Sequence, residues 1–234
     1  FASLTIAQEV KIPNILITDV LETKFTKGIT SFIEKKMNKS MMNIIKNCDI
    51  VIIPENGENV DNIRRVGPIV REINSSREEL REKFLFNKKT ILISVGGTDA
   101  GLFLIQKSIE SILKLSLDIE IILVTGPSIT KKFDNVKNLG FVDNLHELIY
   151  ASDVVISLAG KSTIDEAKAY GTPGIFIPIK DHFEQENNSK NEGFIFDDIK
   201  KLDELILEKL DKKRNKVNTN GAKLAAEIIR KFTK

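Results

Sequence analysis

The sequence predicts an α/β chain of two doubly wound units with parallel sheets, and three observations carry that prediction. Short apolar runs of Ile, Val and Leu recur along the 234 residues, bounded by glycine, proline and asparagine turns. Segments of helical spacing separate these runs, the βαβ alternation from which parallel sheets are built. The breaker pair Gly67-Pro68 interrupts the rhythm once and marks a linker between the two units.

Each element follows from its local pattern. Leu4, Ile6, Ala7 and Val10 open the chain at helical spacing, and 15–18 reads as a strand. Residues 27–46 form a helix with Ile29, Phe32, Ile33, Met37, Met41, Ile44 and Ile45 on one apolar side. This is first a core-packing helix. Its Lys35, Lys36 and Lys39 edge, beside Lys24 and Phe25, also suits peripheral contact with anionic lipid. Strands at 50–53 and 64–66 complete the first unit. In the second, Ser75 and Glu78 form an S-x-x-E capping box for a helix reaching Phe86, and 90–95 is a buried strand. The alternation continues as helix 101–115, strand 119–124, helix 127–133, strand 136–139, helix 144–151, strand 153–157, helix 161–170 and strand 174–178. Helices at 202–210 and 220–232 end the chain, and the KKRNKVNTNG stretch between them reads as solvated surface.

Composition narrows the function classes. Lys plus Arg number 35 against 33 Asp plus Glu, a net charge of +2 that gives no reason for a nucleic-acid partner. One Cys and two His leave no internal disulfide and no zinc spacing, which fits a reducing cytoplasm and no structural metal. No run of about 18 apolar residues suggests a membrane span.

The stretch Ser157–Gly193 carries the chemistry. Ala159-Gly160 reads as the exit turn of a buried strand, and Lys161, Ser162 and Thr163 open a helix whose free N–H groups can hold an anion. Glu166, placed on the first turn of that helix, is an acceptor suited to paired ribose hydroxyls. Glu184, Gln185, Asn187 and Asn188 form a polar cluster able to read sugar hydroxyls, while neighbouring His182 reads first as a locally bonded loop residue. A second strand-to-helix turn, Ser94–Gly101, places Gly96 and Gly97 where backbone can approach a pyrophosphate, with Thr98 as a hydroxyl donor and Asp99 as a helix cap.

The pattern A-G-x-S-T-x-x-E-A-x-x-x-G-T-P-x-x-x-x-P, followed by E-Q-x-x-N, resembles the donor-binding domain of GT-B glycosyltransferases, most nearly glycosyltransferase family 28. V-G-P-I-V-R at 66–71, S-V-G-G-T-D-A-G at 94–101 and G-F-V-D-N-L at 140–145 recur in the family's order. The resemblance implies two Rossmann-like domains. Residues 1–70 would be the late part of the acceptor domain, 71–214 the nucleotide-sugar domain, and 215–234 a helix returning to the first. It implies that the family's first strands and its catalytic base precede Phe1. It also implies that Arg71, Gly96, Gly97, Thr98, Gly160, Lys161, Ser162 and Thr163 serve the donor phosphates. Phe141, Val142, Leu145 and Glu166 would serve the nucleoside, and Glu184, Gln185 and Asn188 the sugar. The bland reading of Arg71 is an interdomain salt bridge to a Glu. The implied reaction moves a sugar, N-acetylglucosamine by resemblance, from a UDP-sugar to a sugar or lipid-linked acceptor, without cofactor or metal, at the cytoplasmic face of a membrane. A UDP-sugar hydrolase or epimerase, or a donor-binding subunit inactive without a membrane partner, fits the same residues.

Overall fold

The computed structural model describes residues 2–24, 31–96 and 99–233. In chain order the elements are α1 (Ala2–Glu9), β1 (Ile15–Ile17), α2 (Ser31–Lys46), β2 (Ile50–Ile53), β3 (Ile63–Arg65), α3 (Arg77–Phe84), β4 (Lys89–Ser94) and α4 (Leu102–Lys114). There follow β5 (Ile119–Val124), β6 (Lys137–Gly140), α5 (Leu145–Ala151), β7 (Val154–Leu158), α6 (Lys161–Tyr170), β8 (Gly174–Ile177), α7 (Phe183–Asn191), α8 (Leu202–Asp211) and α9 (Gly221–Phe232).

The chain divides into a unit of residues 1–70 with 219–234 and a unit of residues 71–218. In the first, β1, β2 and β3 pair in parallel in that order. Ile45, Cys48, Val51 and Ile53 form one core on this sheet, and Ile52, Val66 and Ala225 of α9 form another. The strand residues Val51, Ile52 and Ile53 are thus buried whichever way they point, as a parallel strand covered on both faces requires. Gly221 starts α9 where an added Cβ would stand 2.4 Å from the Pro68 carbonyl oxygen, so only glycine lets the helix approach so closely.

The apolar side expected of α2 is only partly a core face. Ile45 is buried and Met41 packs beside it, but Phe32, Ile33 and Met37 are 73%, 62% and 66% exposed. Their helical spacing is right; what is missing is a neighbouring element among the described residues to cover the first half of the helix. The expected start at residue 27, with Phe25 and Ile29, lies outside the described residues.

In the second unit five parallel strands run in the order β6-β5-β4-β7-β8. The sequence steps outward from β4 in one direction through β5 and β6, then returns to the other side with β7 and β8. The reversal makes the gap beyond the carboxyl ends of β4 and β7 a topological switch point, where open α/β sheets bind ligands. The core beneath is continuous and aliphatic, with Ile91, Leu92, Ile93, Ile122, Leu123, Val154, Val155 and Ile156 fully buried.

Three local expectations are corrected. The capping box sits one residue later, at Ser76 and Glu79: Glu79 N–H donates to Ser76 Oγ at 3.2 Å, and Ser76 N–H donates to Glu79 Oε2 at 2.7 Å. The shift satisfies both partners, because Glu79 is then the third residue of the helix. Residues 127–133 form a turn and irregular chain instead of a helix. Burial of Ile129, with packing of Phe133 on the core, draws this crossover onto the sheet. Conversely, the polar stretch after Asp181 is helical, as α7. It has no apolar stripe to announce it, and is held through Ser189 Oγ, which is 2.8 Å from the Phe176 carbonyl oxygen and 2.9 Å from that of Phe194.

Gly171 closes α6 with φ +70°, and an added Cβ would meet Asn215 and Lys216 backbone at 2.7 Å. The left-handed C-cap and the close passage of the 215–216 backbone both require glycine here. Among the described residues no helix is long and apolar enough to cross a membrane.

Candidate donor site at the switch point

The exit of β7 builds the first wall. Gly160 N–H donates to the Leu158 carbonyl at 2.7 Å, a tight turn that lets α6 begin at Lys161 immediately after the strand. Gly160 caps the helix without a side-chain acceptor. The leading amides of Lys161, Ser162 and Thr163 therefore face outward with the positive end of the helix dipole, a setting that favours an anion. Beyond β4, Gly96 takes φ +77° and its carbonyl accepts from Gly126 N–H at 2.9 Å, which ties the two loops together. Gly97 and Thr98 lie outside the described residues. Asp99 opens a short 3-10 turn, and α4 is capped by Gly101 instead of by a side chain.

Glu166 is the sixth residue of α6, in its second turn, one turn deeper than the sequence suggested. The side chain is 8% exposed, and Arg71 Nε lies 3.6 Å from its Oε1. Burial raises the carboxyl above its ordinary value, opposed by Arg71 and reinforced by Asp165. Arg71 reaches further, donating from Nη1 to the Asp143 carbonyl at 3.1 Å and lying 3.3 Å from His146 Nδ1. Its own carbonyl accepts from the Tyr170 hydroxyl at 2.7 Å. The ion pair considered for Arg71 thus lies within the second unit.

Lys161 turns along the helix to Asp165, its Nζ 2.7 and 2.6 Å from the two carboxylate oxygens. Burial raises the Asp165 carboxyl and Lys161 counters it. Phe141 is 70% exposed, while Val142 and Leu145 pack on the core edge between β6 and α5. In α7, Asn188 Nδ2 donates to the Ala159 carbonyl at 3.1 Å, which fastens this helix to the β7 exit turn. Gln185 Oε1 accepts from Ile179 N–H at 3.0 Å, and its own N–H donates to His182 Nδ1 at 3.4 Å. Glu184 is half-buried in the first turn of α7.

The structure therefore gathers Arg71 with Glu166, and Asn188 with the Ala159-Gly160 turn. His146, Asp165 and Tyr170 were missed by the sequence reading. Tyr170 and Asp165 each left a signal, since they stand four residues after Glu166 and Lys161 on the same helix.

The glycosyltransferase family 28 C-terminal domain matches residues 90–233. An uncharacterized glycosyltransferase of Methanopyrus kandleri is 26% identical over 202 residues, covering 81% of this chain and 58% of that protein. The UDP-N-acetylglucosamine–N-acetylmuramyl-(pentapeptide) pyrophosphoryl-undecaprenol N-acetylglucosamine transferase of Aquifex aeolicus is 33% identical over 132 residues, covering 50% of this chain and 38% of that enzyme. The chain thus spans between about two fifths and three fifths of the length of these relatives. Among solved structures, Acinetobacter baumannii MurG aligns with TM-score 0.55 at 16% identity over 97% of this chain and 69% of its own. Phytolacca americana UGT2, complexed with UDP-2fluoro-glucose and pterostilbene, aligns with TM-score 0.59 at 14% identity over 100% and 73%. These neighbours share the parallel-sheet, Rossmann-like α/β fold of the GT-B glycosyltransferases. With the family match spanning more than half of its residues, this chain belongs to glycosyltransferase family 28 through its C-terminal domain.

Proposed function

We propose that this chain binds a UDP-sugar and takes part in transfer of the sugar, N-acetylglucosamine, to a hydroxyl of a lipid-linked acceptor at the cytoplasmic face of a membrane. The observation that carries the reading is a buried carboxylate, Glu166, in the second turn of the helix whose first turn opens at the switch point. Burying a carboxylate is costly, and an Arg71 contact at 3.6 Å, its one ion pair among the described residues, is a loose return for it, which suits a group reserved for ligand hydroxyls. The amides of Lys161, Ser162 and Thr163 would receive the diphosphate. In the reaction the acceptor oxygen bonds to the anomeric carbon as the bond to the β-phosphate oxygen breaks, and the acceptor proton passes to a base. Charge grows on the departing diphosphate, where the helix dipole stabilises it. The A. aeolicus relative's named donor, UDP-N-acetylglucosamine, supports that choice of sugar.

Calorimetric titration with UDP, UDP-N-acetylglucosamine, UDP-glucose and GDP tests the donor. Tightest binding of UDP-N-acetylglucosamine is expected, and equal binding of GDP and UDP would overturn the uridine assignment. Sugar released in water, or an isomerised donor, would favour the hydrolase or epimerase reading.

The exposed Phe32, Ile33 and Met37 lie on α2 with Lys35, Lys36 and Lys39, and apolar residues beside cations suit an anionic lipid surface. Sedimentation with phosphatidylglycerol vesicles is expected to exceed that with phosphatidylcholine, and to fall on replacing Phe32 and Met37 with Ser. Equal sedimentation of wild type and variant would remove α2 from the membrane contact.

A further inference from the structure

His146 stands on the first turn of α5 against the Arg71 guanidinium, Nδ1 to Nη1, at 3.3 Å. Arginine has no acceptor and stays charged, so this contact is a hydrogen bond only while Nδ1 carries no proton and the ring N–H is on Nε2. In that tautomer Arg71 is held from two sides, by Nδ1 and by the Asp143 carbonyl, with its Nε left toward Glu166. We propose that neutral His146 is a positioning residue of the donor site, which holds Arg71 against Glu166 and releases it when Nδ1 is protonated. The proposal rests on reading Glu166 and Arg71 as donor contacts.

The charged groups around the ring decide the direction. Arg71 faces it from the segment before α3, Lys83 from α3, and Glu147 from α5 itself, with Glu166 and Tyr170 of α6 beyond Arg71. Lys83 and Glu147 pair with each other at 2.6 Å, so their fields at the ring largely offset one another. Burial first, and then Arg71, hold His146 below its ordinary 6.5. Protonation would set imidazolium against guanidinium at hydrogen-bond distance, and repulsion separates them. The neutral, holding form is complete above 6.5 and is lost as pH falls through the lowered value.

Two readouts test this. NMR titration of the His146 ring needs no donor, and Arg71→Ala is expected to raise its pKa toward the ordinary value. Titration with UDP-N-acetylglucosamine, whose diphosphate is esterified at both ends, should show affinity falling severalfold from about pH 7.5 to 5.5 in the wild type, less than the roughly tenfold that an unshifted imidazole would give. In a folded His146→Asn variant, whose Oδ1 accepts from Arg71 without titrating, the fall should be less than about twofold. An unmoved His146 pKa in Arg71→Ala overturns the contact. A His146→Asn slope equal to wild type assigns the pH dependence to Glu166 and overturns the positioning role. No donor binding by the wild type at neutral pH overturns the donor reading, and the positioning role with it, while the NMR result still reports on the contact by itself.

Discussion

Replacing Glu166 with Ala is expected to weaken UDP-N-acetylglucosamine binding by about 1–3 kcal/mol, the scale of charge-assisted hydrogen bonds lost to two ribose hydroxyls. The same change should leave the fold intact or slightly more stable, and the sign follows from burial. Desolvation raises the Glu166 carboxyl, so the fold favours its protonated form. At neutral pH, above the ordinary carboxylate range, a carboxyl raised by burial costs stability, and removing it relieves that cost. The partner left behind, Arg71, has a side chain 58% exposed and is readily solvated. A structural carboxylate would behave in the opposite way, with stability lost and binding reduced only in proportion. Calorimetry and thermal unfolding on the same variant separate the two. Undiminished affinity in a folded Glu166→Ala chain would end its assignment to the ribose.

Arg214→Ala is expected to destabilise the second unit by about 3 kcal/mol, a fall in Tm of roughly 6–12 °C, with donor affinity little changed. Arg214 donates to the carbonyls of Ser152 at 2.7 Å, Tyr150 at 2.9 Å and Tyr170 at 3.2 Å, and to Thr172 Oγ1 at 2.8 Å. It thereby satisfies the carbonyl ends of α5 and α6 together, where the negative poles of both dipoles favour a cation. Its guanidinium also stands 5.5 Å from the Tyr150 ring centroid. Burial, with Arg77 and Arg81 nearby, draws its pKa down to about 10, still far above neutrality, so it is charged throughout the physiological range. Truncation would leave buried carbonyl oxygens without a donor, which costs more than the bonds themselves contribute. Lysine, with one ammonium and no planar fork, should recover only part of the loss. A Tm within about 2 °C of wild type for Arg214→Ala would show that these carbonyls find other donors.

Arg214 also shows where a reading of sequence alone stops. It lies within KKRNKVNTNG, which by composition is a solvated loop, yet its side chain is the most heavily bonded in the unit's described hydrogen-bond network. Charge runs carry no mark of which member turns inward. The same blindness hid α7, whose Glu, Gln, Asn and Lys residues have no apolar period because only Ser189 is buried.

What the sequence determined by itself was the order and type of the strands, the helices with an apolar stripe, and the left-handed glycine turns at 96 and 171. These depend on hydrophobic period and on backbone conformations that few residues adopt, both of which are local. It also placed Gly160 and Glu166 on one strand-turn-helix unit, since five intervening residues of helix set their separation to within a turn. Only the tertiary structure decided that Arg71 meets Glu166 and His146, and that Phe32 and Met37 are exposed. Those outcomes depend on which elements the sheet order brings side by side, and a contact between residues 95 apart in the chain leaves no periodicity by which to read it.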